Sequence, residues 1–200
     1  MLLQILTYTH HLTTMLFGIF LSAFFLGVKQ NKKNVCILLG GAAVSGLFFL
    51  ICNTVFGSLF TVAVYPIFVH LPLFLLLVFY YRFRWLPSII SIMTAYLCCQ
   101  FSNWAGIFAL SLSGLDWVYY LVRIIVTVAV FAFLSRYLCQ TTALLLAKSD
   151  RELYILGAMP FVYYVFDYST TKFSMLLYSG NKVVVEFLAF AMCISYVIFL

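Results

Sequence analysis

Apolar runs of about 20 residues follow one another along this chain, and no other feature constrains its fold as strongly. The 200-residue sequence is 66% hydrophobic and 8% charged, with a mean hydropathy of +1.15. A soluble domain carries about 25% charged residues, so the solvent for most of these side chains must be lipid. We therefore predict an all-α fold, a polytopic transmembrane bundle of about seven helices, or six, forming one integral membrane domain over residues 1–200.

The predicted helices follow the apolar runs. In the second, Gly41 and Ser45 are small residues four apart, a spacing that allows close helix packing. In the third, Pro66 and Pro72 remove backbone donors and should distort the helix. The segment TTALLLA after the fifth helix either lies along the membrane surface or extends that helix. The approximate predicted bounds are Ile5–Val28, Val35–Cys52, Phe60–Tyr81, Pro87–Leu112, Trp117–Leu138, Leu153–Thr171 and Val183–Leu200.

The positions of Lys and Arg predict the orientation of the bundle. Most of the eleven basic residues lie in the first, third and fifth links between the apolar runs. Short cytoplasmic loops are enriched in Lys and Arg. We therefore predict an extracytoplasmic N-terminus, a cytoplasmic C-terminus and a multi-pass location in a bacterial plasma membrane. The residues that decide this are Lys29, Lys32, Lys33, Arg82, Arg84, Arg136, Lys148 and Arg151.

The partners expected from this pattern are membrane lipids and not nucleic acid. The net charge of +6 comes from short basic clusters between the apolar runs, which is the pattern of membrane topology. The chain ends in SYVIFL, inside an apolar run and without a basic finish. We expect the natural protein to continue into the cytoplasm beyond Leu200.

The stretch from Asp167 to Glu186, DYSTTKFSMLLYSGNKVVVE, is unusual in a chain with so few charges. It contains two of the acidic residues, together with Lys172, Lys182 and a Ser-Gly-Asn turn. In the predicted topology it faces outward. We interpret it as an extracytoplasmic loop that forms a sensing surface with the adjoining helix ends.

Two groups of polar residues are candidates for ligand sensing or for ion pairing. Arg123, Asp167 and Glu186 should lie toward the outer leaflet, where a buried charge is usually paired or functional. Arg123 could pair with Asp167 or with Glu186, and such a pair would either fasten helices together or contact a ligand. Lys172 belongs to the same outer region.

The second group consists of Gln100 and Asn103 on the fourth helix and His70 on the third. These side chains could line a polar cleft. They could instead form hydrogen bonds between helices, and the sequence favours this second interpretation.

Catalysis finds no support in the sequence. It contains no G-x-S-x-G, H-E-x-x-H or phosphate-binding glycine motif, so these 200 residues are predicted not to be an enzyme. The six cysteines form no C-x-x-C pair and are interpreted as small buried apolar residues. We expect neither a metal site nor a cofactor.

Two stretches resemble a known family. FDYSTTKFSMLLYSGNKVVVEFLAF (Phe166 to Phe190) and AYLCCQFSNWAGI (Ala95 to Ile107) are similar to segments in the membrane sensor regions of clostridial-type, Gram-positive histidine kinases with a GHKL-type ATPase domain. The resemblance implies an input domain like those of peptide-quorum-sensing receptors in two-component signal transduction. It further implies a cytoplasmic kinase beyond residue 200 and a homodimer formed through that part.

Two functions remain open from the sequence. The first is a sensor of an extracellular peptide or small molecule, whose last helix relays the signal to the kinase. The alternative is a small membrane transporter or substrate-capture subunit, such as the vitamin-binding component of an importer. The alternative would gather its polar residues around one pocket, often at broken helices.

Overall fold

A computed structural model describes residues 1–57, 60–61, 64–167 and 182–200, with side chains in the last range described from Phe190 onward. Every element in these ranges is a helix, which confirms the all-α fold class. We number the helices in chain order. They are α1 (Leu2–Phe25), α2 (Lys32–Phe56), α3 (Pro66–Tyr80), α4 (Trp85–Ser113), α5 (Asp116–Tyr137), α6 (Cys139–Leu146), α7 (Asp150–Asp167) and α8 (Lys182–Phe199).

Three of the described helices, α2, α4 and α5, are long and apolar enough to cross a membrane. The helix α3 and the part of α8 from Phe190 to Phe199 are apolar but shorter. An all-helical chain in which three described helices are long and apolar enough to cross a membrane is thus confirmed. The count of six or seven spans and the orientation stay predictions.

Glycines with a positive φ end three of these helices, α1, α2 and α4, as expected of a residue without a Cβ. Gly27 follows α1 with φ 84° and donates to the carbonyl of Phe24, while Val28 donates to Ala23. Gly114 follows α4 with φ 66° and donates to Leu110. The sequence Ser-Gly-Leu-Asp from Ser113 to Asp116 therefore links α4 to α5 in a short turn.

The helix α3, which was predicted to kink at its prolines, has an irregular pattern of backbone hydrogen bonds. Its first and last turns, Pro66–His70 and Leu76–Tyr80, are π-helical, and the α-helical turn Leu71–Leu75 lies between them. Leu71 donates its backbone N–H to the carbonyl of Pro66, five residues earlier. Wide turns of this kind occur frequently at functional sites.

The helix α4 is central to the packing. Its first half, up to Cys98, packs against α1 and α7, and its second half packs against α5 and α8. The contact with α7 is close, because a Cβ added at Gly157 would lie 2.7 Å from a side-chain carbon of Ile90. The buried core includes Phe17, Leu21, Phe25, Leu38, Ile90, Ala95, Leu97, Leu134, Leu153 and Tyr163.

The α2 helix lies at the periphery and contacts α1 and α3. Its predicted small-residue face is turned toward them: a Cβ on Gly41 would lie 3.6 Å from Leu76, and one on Gly46 would lie 3.4 Å from Met15. Ala42 and Ser45, on the same face, are buried. The opposite face of α2 is apolar and exposed, as expected of a helix that borders lipid.

Three links meet at one end of the bundle, which we call the basic end: Lys29–Asn34, Tyr81–Arg84 and Ala147–Glu152. The Tyr81 hydroxyl donates to Asn34 Oδ1 at 3.5 Å. Arg84 donates to Asp150 Oδ1 at 2.9 Å and to the carbonyl of Lys148 at 2.7 Å. The links that carry most of the basic residues therefore lie together, as the predicted topology requires.

Candidate functional site

Two irregular backbone positions and the last described residue of α7 come together inside the bundle. His70 ends the first π-helical turn of α3. Cys99 interrupts α4, where its N–H bonds to Tyr96, three residues earlier, instead of four. Asp167 is the last residue of α7 and the first of the charged stretch. Side chains near these three positions form a network that we call the polar cluster: His70, Tyr96, Gln100, Asn103, Tyr163, Tyr164 and Asp167.

Two hydrogen bonds of the polar cluster connect α7 to α3 and α4. His70 Nδ1 and the Tyr164 hydroxyl are 2.9 Å apart. The Tyr96 hydroxyl donates to the carboxylate of Asp167. Aromatic rings surround the imidazole, since the ring centroids of Tyr65, Tyr96 and Tyr164 lie 5.3, 5.6 and 5.6 Å from that of His70.

A second pair of bonds extends the cluster along α4. The Gln100 side-chain amide donates to the hydroxyl of Tyr163, and both residues are buried. Asn103 Nδ2 donates to Gln100 Oε1 at 3.3 Å. Each bond between membrane helices contributes roughly 0.6–2 kcal/mol, so the network both fastens the helices and concentrates polar groups in an apolar surrounding.

The structure brings His70, Gln100 and Asn103 into one network, but through the tyrosines of α4 and α7. The sequence interpretation missed Tyr96, Tyr163 and Tyr164. A signal was present, because Tyr96 and Gln100 are four apart on one face of α4, and Tyr163 and Asp167 are four apart on α7. The abundance of aromatic residues, 14 of them Tyr, hid that signal.

Arg123 lies apart from the polar cluster, on the side of α5 that faces α1 and α4. Its Nη1 donates to the Tyr119 hydroxyl, and its guanidinium carbon lies 5.1 Å from the centroid of that ring. The buried Nε atom has no hydrogen-bond partner among the described residues. The guanidinium also interacts electrostatically with His10, a buried residue of α1.

Of the two partners predicted for Arg123, Asp167 is described and the side chain of Glu186 is not. The salt bridges between described side chains are Arg84–Asp150 and Lys148–Glu152, both at the basic end. Asp167 instead accepts from Tyr96. Lys172 and the side chain of Glu186 lie outside the described residues, and so does nearly all of the predicted outward loop.

The chemistry available to the polar cluster is hydrogen bonding. It offers a carboxylate, an imidazole, two amides and three phenols, within an aromatic surrounding that would suit an amphipathic ligand. Among the described residues, no group of three or more His, Cys, Asp or Glu side chains is arranged to hold a metal ion.

No protein-family model, curated protein or solved structure matches this chain.

Proposed function

We propose that residues 1–200 form a membrane-embedded sensing domain, in which the polar cluster and the outward stretch from Asp167 to Glu186 meet an extracellular peptide or small-molecule signal. One observation carries this proposal. Asp167, the first residue of the charged stretch, accepts a hydrogen bond from Tyr96 within one turn of the interruption in α4. A signal that competes for Asp167 would therefore act directly on the central helix.

A route from this site to the last helix is present. Trp104, two turns beyond Tyr96 on α4, stacks on Phe190 of α8 with 5.5 Å between the ring centroids. Phe101 contacts the same ring edge-on at 5.9 Å. A ligand changes the equilibrium between two conformations only if it binds them with different affinities. We assign that difference to the irregular turns of α3 and α4, and the relay to α8.

Ligand-induced stabilisation tests the sensing site. The chain in lipid nanodiscs is exposed to size-fractionated culture medium of the bacterium that encodes it, and thermal unfolding is recorded. We expect one fraction to raise the unfolding temperature. Tyr96→Phe should strengthen the apparent affinity about tenfold, because the signal no longer has to displace a hydrogen bond to a charged group, which contributes roughly 1.5–3 kcal/mol.

The matched control is Tyr154→Phe, because Tyr154 is exposed on α7 outside the polar cluster. This variant should respond as the unchanged protein does. A response by Tyr96→Phe that equals the response of the control, or the failure of every fraction to stabilise the protein, would contradict the proposed site.

The output of this domain is proposed to be a GHKL-type histidine kinase that dimerises in the cytoplasm. The resemblance of Phe166 to Phe190 and of Ala95 to Ile107 supports this part of the proposal. Reading the gene beyond the codon for Leu200 tests it. We expect a dimerisation helix and an ATP-binding domain in frame, and an immediate stop codon would refute the kinase.

A transporter or capture subunit is the second candidate, favoured by the interrupted α4 and the π-helical turns of α3. Transporters often build their binding sites at discontinuous helices. This candidate predicts that the purified chain binds a small nutrient such as a vitamin. It also predicts that uptake proceeds without a cytoplasmic extension, a result that the sensing proposal does not allow.

A further inference from the structure

Three contacts fix how α8 lies against α4. The hydroxyls of Thr94 and Tyr196 are 3.5 Å apart, and at the other end Phe101 contacts Phe190. Between these contacts, one turn from each, Cys98 and Cys193 face each other across the two helices, and their thiols are close enough to interact. Residue numbers rise along α4 as they fall along α8, so the helices are antiparallel and the three contacts form the successive rungs of a ladder.

The middle rung is a pair of thiols enclosed by protein. Cys98 is 1% exposed and Cys193 is fully buried, whereas Cys36 on α2 is exposed. A third buried thiol, Cys139 at the start of α6, is near enough to interact electrostatically with Cys98. Oxidants dissolved in water therefore have poor access to the pair.

An apolar cavity of about 260 Å³ lies beside this ladder. Phe101 of α4 and Val197 of α8 line it, with Leu134 and neighbouring residues of α5. Phe101 lies one turn beyond Cys98, and Val197 lies one turn beyond Cys193 in the opposite direction, so the cavity brackets the level of the two thiols. An apolar cavity of about 150 Å³ already accepts a benzene ring, and this cavity is larger.

We propose that Cys98 and Cys193 form a redox-active thiol pair, which a lipid-soluble oxidant of the quinone class oxidises from the cavity. Two S–H bonds break and one S–S bond forms. The two electrons and two protons pass to the quinone, which leaves as the hydroquinone. The disulfide joins α4 to α8 covalently. This inference goes beyond the proposed sensing function, and its test reads thiols, so either can fail without the other.

Thiol mapping tests the pair directly. The reduced chain in lipid nanodiscs is incubated with decylubiquinone, whose fully substituted ring resists addition of a thiol. Free thiols are then blocked with a maleimide under denaturing conditions, and the peptides are identified by mass spectrometry. We expect two of the six thiols to be lost together and a disulfide-linked peptide pair that contains Cys98 and Cys193.

Single substitutions identify the partners. Cys98→Ala and Cys193→Ala should each abolish the linked peptide and leave the other thiol free. Cys36→Ala and Cys139→Ala, the exposed control and the nearest buried thiol, should both retain it. The mapping of the unchanged protein remains decisive if a variant fails to fold.

The cavity has its own test. Ala129→Phe adds a ring to the cavity lining, and we expect it to slow oxidation by decylubiquinone at least about fivefold, because the new side chain takes the space that the ring of the oxidant needs. Oxidation by hydrogen peroxide, which is far smaller than the quinone ring, should keep its rate. Equal slowing of both oxidants, or of neither, would refute entry through the cavity.

Three results would overturn the thiol pair itself: six free thiols after incubation, a disulfide between Cys98 and Cys139, or a covalent quinone adduct on either cysteine.

Discussion

Arg123 depends on a glycine of the neighbouring helix for its position. A Cβ added at Gly106 would lie 2.4 Å from Arg123 Cγ and 2.8 Å from Cδ. Atoms this close cannot coexist, so only Gly lets the aliphatic stem of the arginine cross α4. The guanidinium then reaches the hydroxyl of Tyr119 on its own helix.

The substitution Gly106→Ala should therefore displace Arg123 and destabilise the bundle. Overpacking costs about 1–3 kcal/mol, and the better helix propensity of Ala returns about 1 kcal/mol at most. The expected result is a lower unfolding temperature in detergent micelles. In an Arg123→Ala background the same change should be neutral or stabilising, because the obstructing stem is gone.

Gly40→Ala is the matched control, since a Cβ at Gly40 on the exposed side of α2 meets nothing within 4 Å. It should raise the unfolding temperature slightly. If Gly106→Ala behaves like Gly40→Ala, Arg123 does not depend on Gly106.

The sequence identified Arg123, Asp167, His70, Gln100 and Asn103 as noteworthy because a polar residue inside an apolar run stands out by itself. Their partners could not be predicted, since the pairing depends on the rotation of each helix about its axis. The Tyr hydroxyls that complete the polar cluster look, in sequence, like any other aromatic residues of a membrane helix.

The start of α7 contains half of a capping box, in which the side chain of a Glu accepts from the backbone N–H of a Ser three residues earlier. The N–H and the hydroxyl of Ser149 donate to Glu152 Oε2 at 3.2 and 2.9 Å, and Lys148 lies 3.5 Å from Oε1. The Ser149 bonds first, and Lys148 second, lower the pKa of Glu152. The sequence SDRE contains the S-x-x-E signature of this structure.

This cap predicts a dependence of the α7 terminus on pH. A lowered pKa means that the contribution of Glu152 is complete above the ordinary carboxyl pKa of about 4.3 and is lost as the pH falls through the lower folded value. Ser149→Ala should raise the pKa of Glu152 toward its ordinary value. Titration of ¹³C-labelled Glu carboxyls by NMR in micelles measures it.

Ser135→Ala serves as the control, because the Ser135 hydroxyl bonds only to the carbonyl of Ala132 on exposed α5. An unchanged Glu152 pKa in Ser149→Ala would show that the cap does not hold the carboxylate.

Helix positions followed well from the apolar runs, because length and hydropathy are local properties. The predicted fifth helix, Trp117–Leu138, and the observed α5, Asp116–Tyr137, differ by one residue at each end. The segment TTALLLA was predicted either to lie along the membrane surface or to extend the fifth helix. It lies in a separate helix, α6, and Leu138 separates α6 from α5. The interruption of α4 at Cys99 has no Gly or Pro to mark it and was not foreseen.

Across the whole molecule, the gathering of three links at the basic end agrees with the charge asymmetry on which the orientation rests.

Labelling with a membrane-impermeant maleimide in a Cys36→Ala background tests the orientation. Gln30→Cys lies in the basic link between α1 and α2 and should react only after the cells are opened. Leu115→Cys lies between α4 and α5 at the other end and should react in intact cells. The reverse pattern would invert the topology and place the stretch from Asp167 to Glu186 in the cytoplasm.

The three ladder contacts between α4 and α8 also limit how these two helices can slide past each other. Thr94 to Phe101 covers seven residues, a length of about 10 Å along the rod at 1.5 Å per residue. A slide of α8 along its axis would take all three rungs out of register at once, and the next comparable fit lies a full turn away, about 5.4 Å. Motion of α8 along its axis must then occur in steps of one helical turn. A change in the angle between α4 and α8 about the Cys98–Cys193 contact can be gradual.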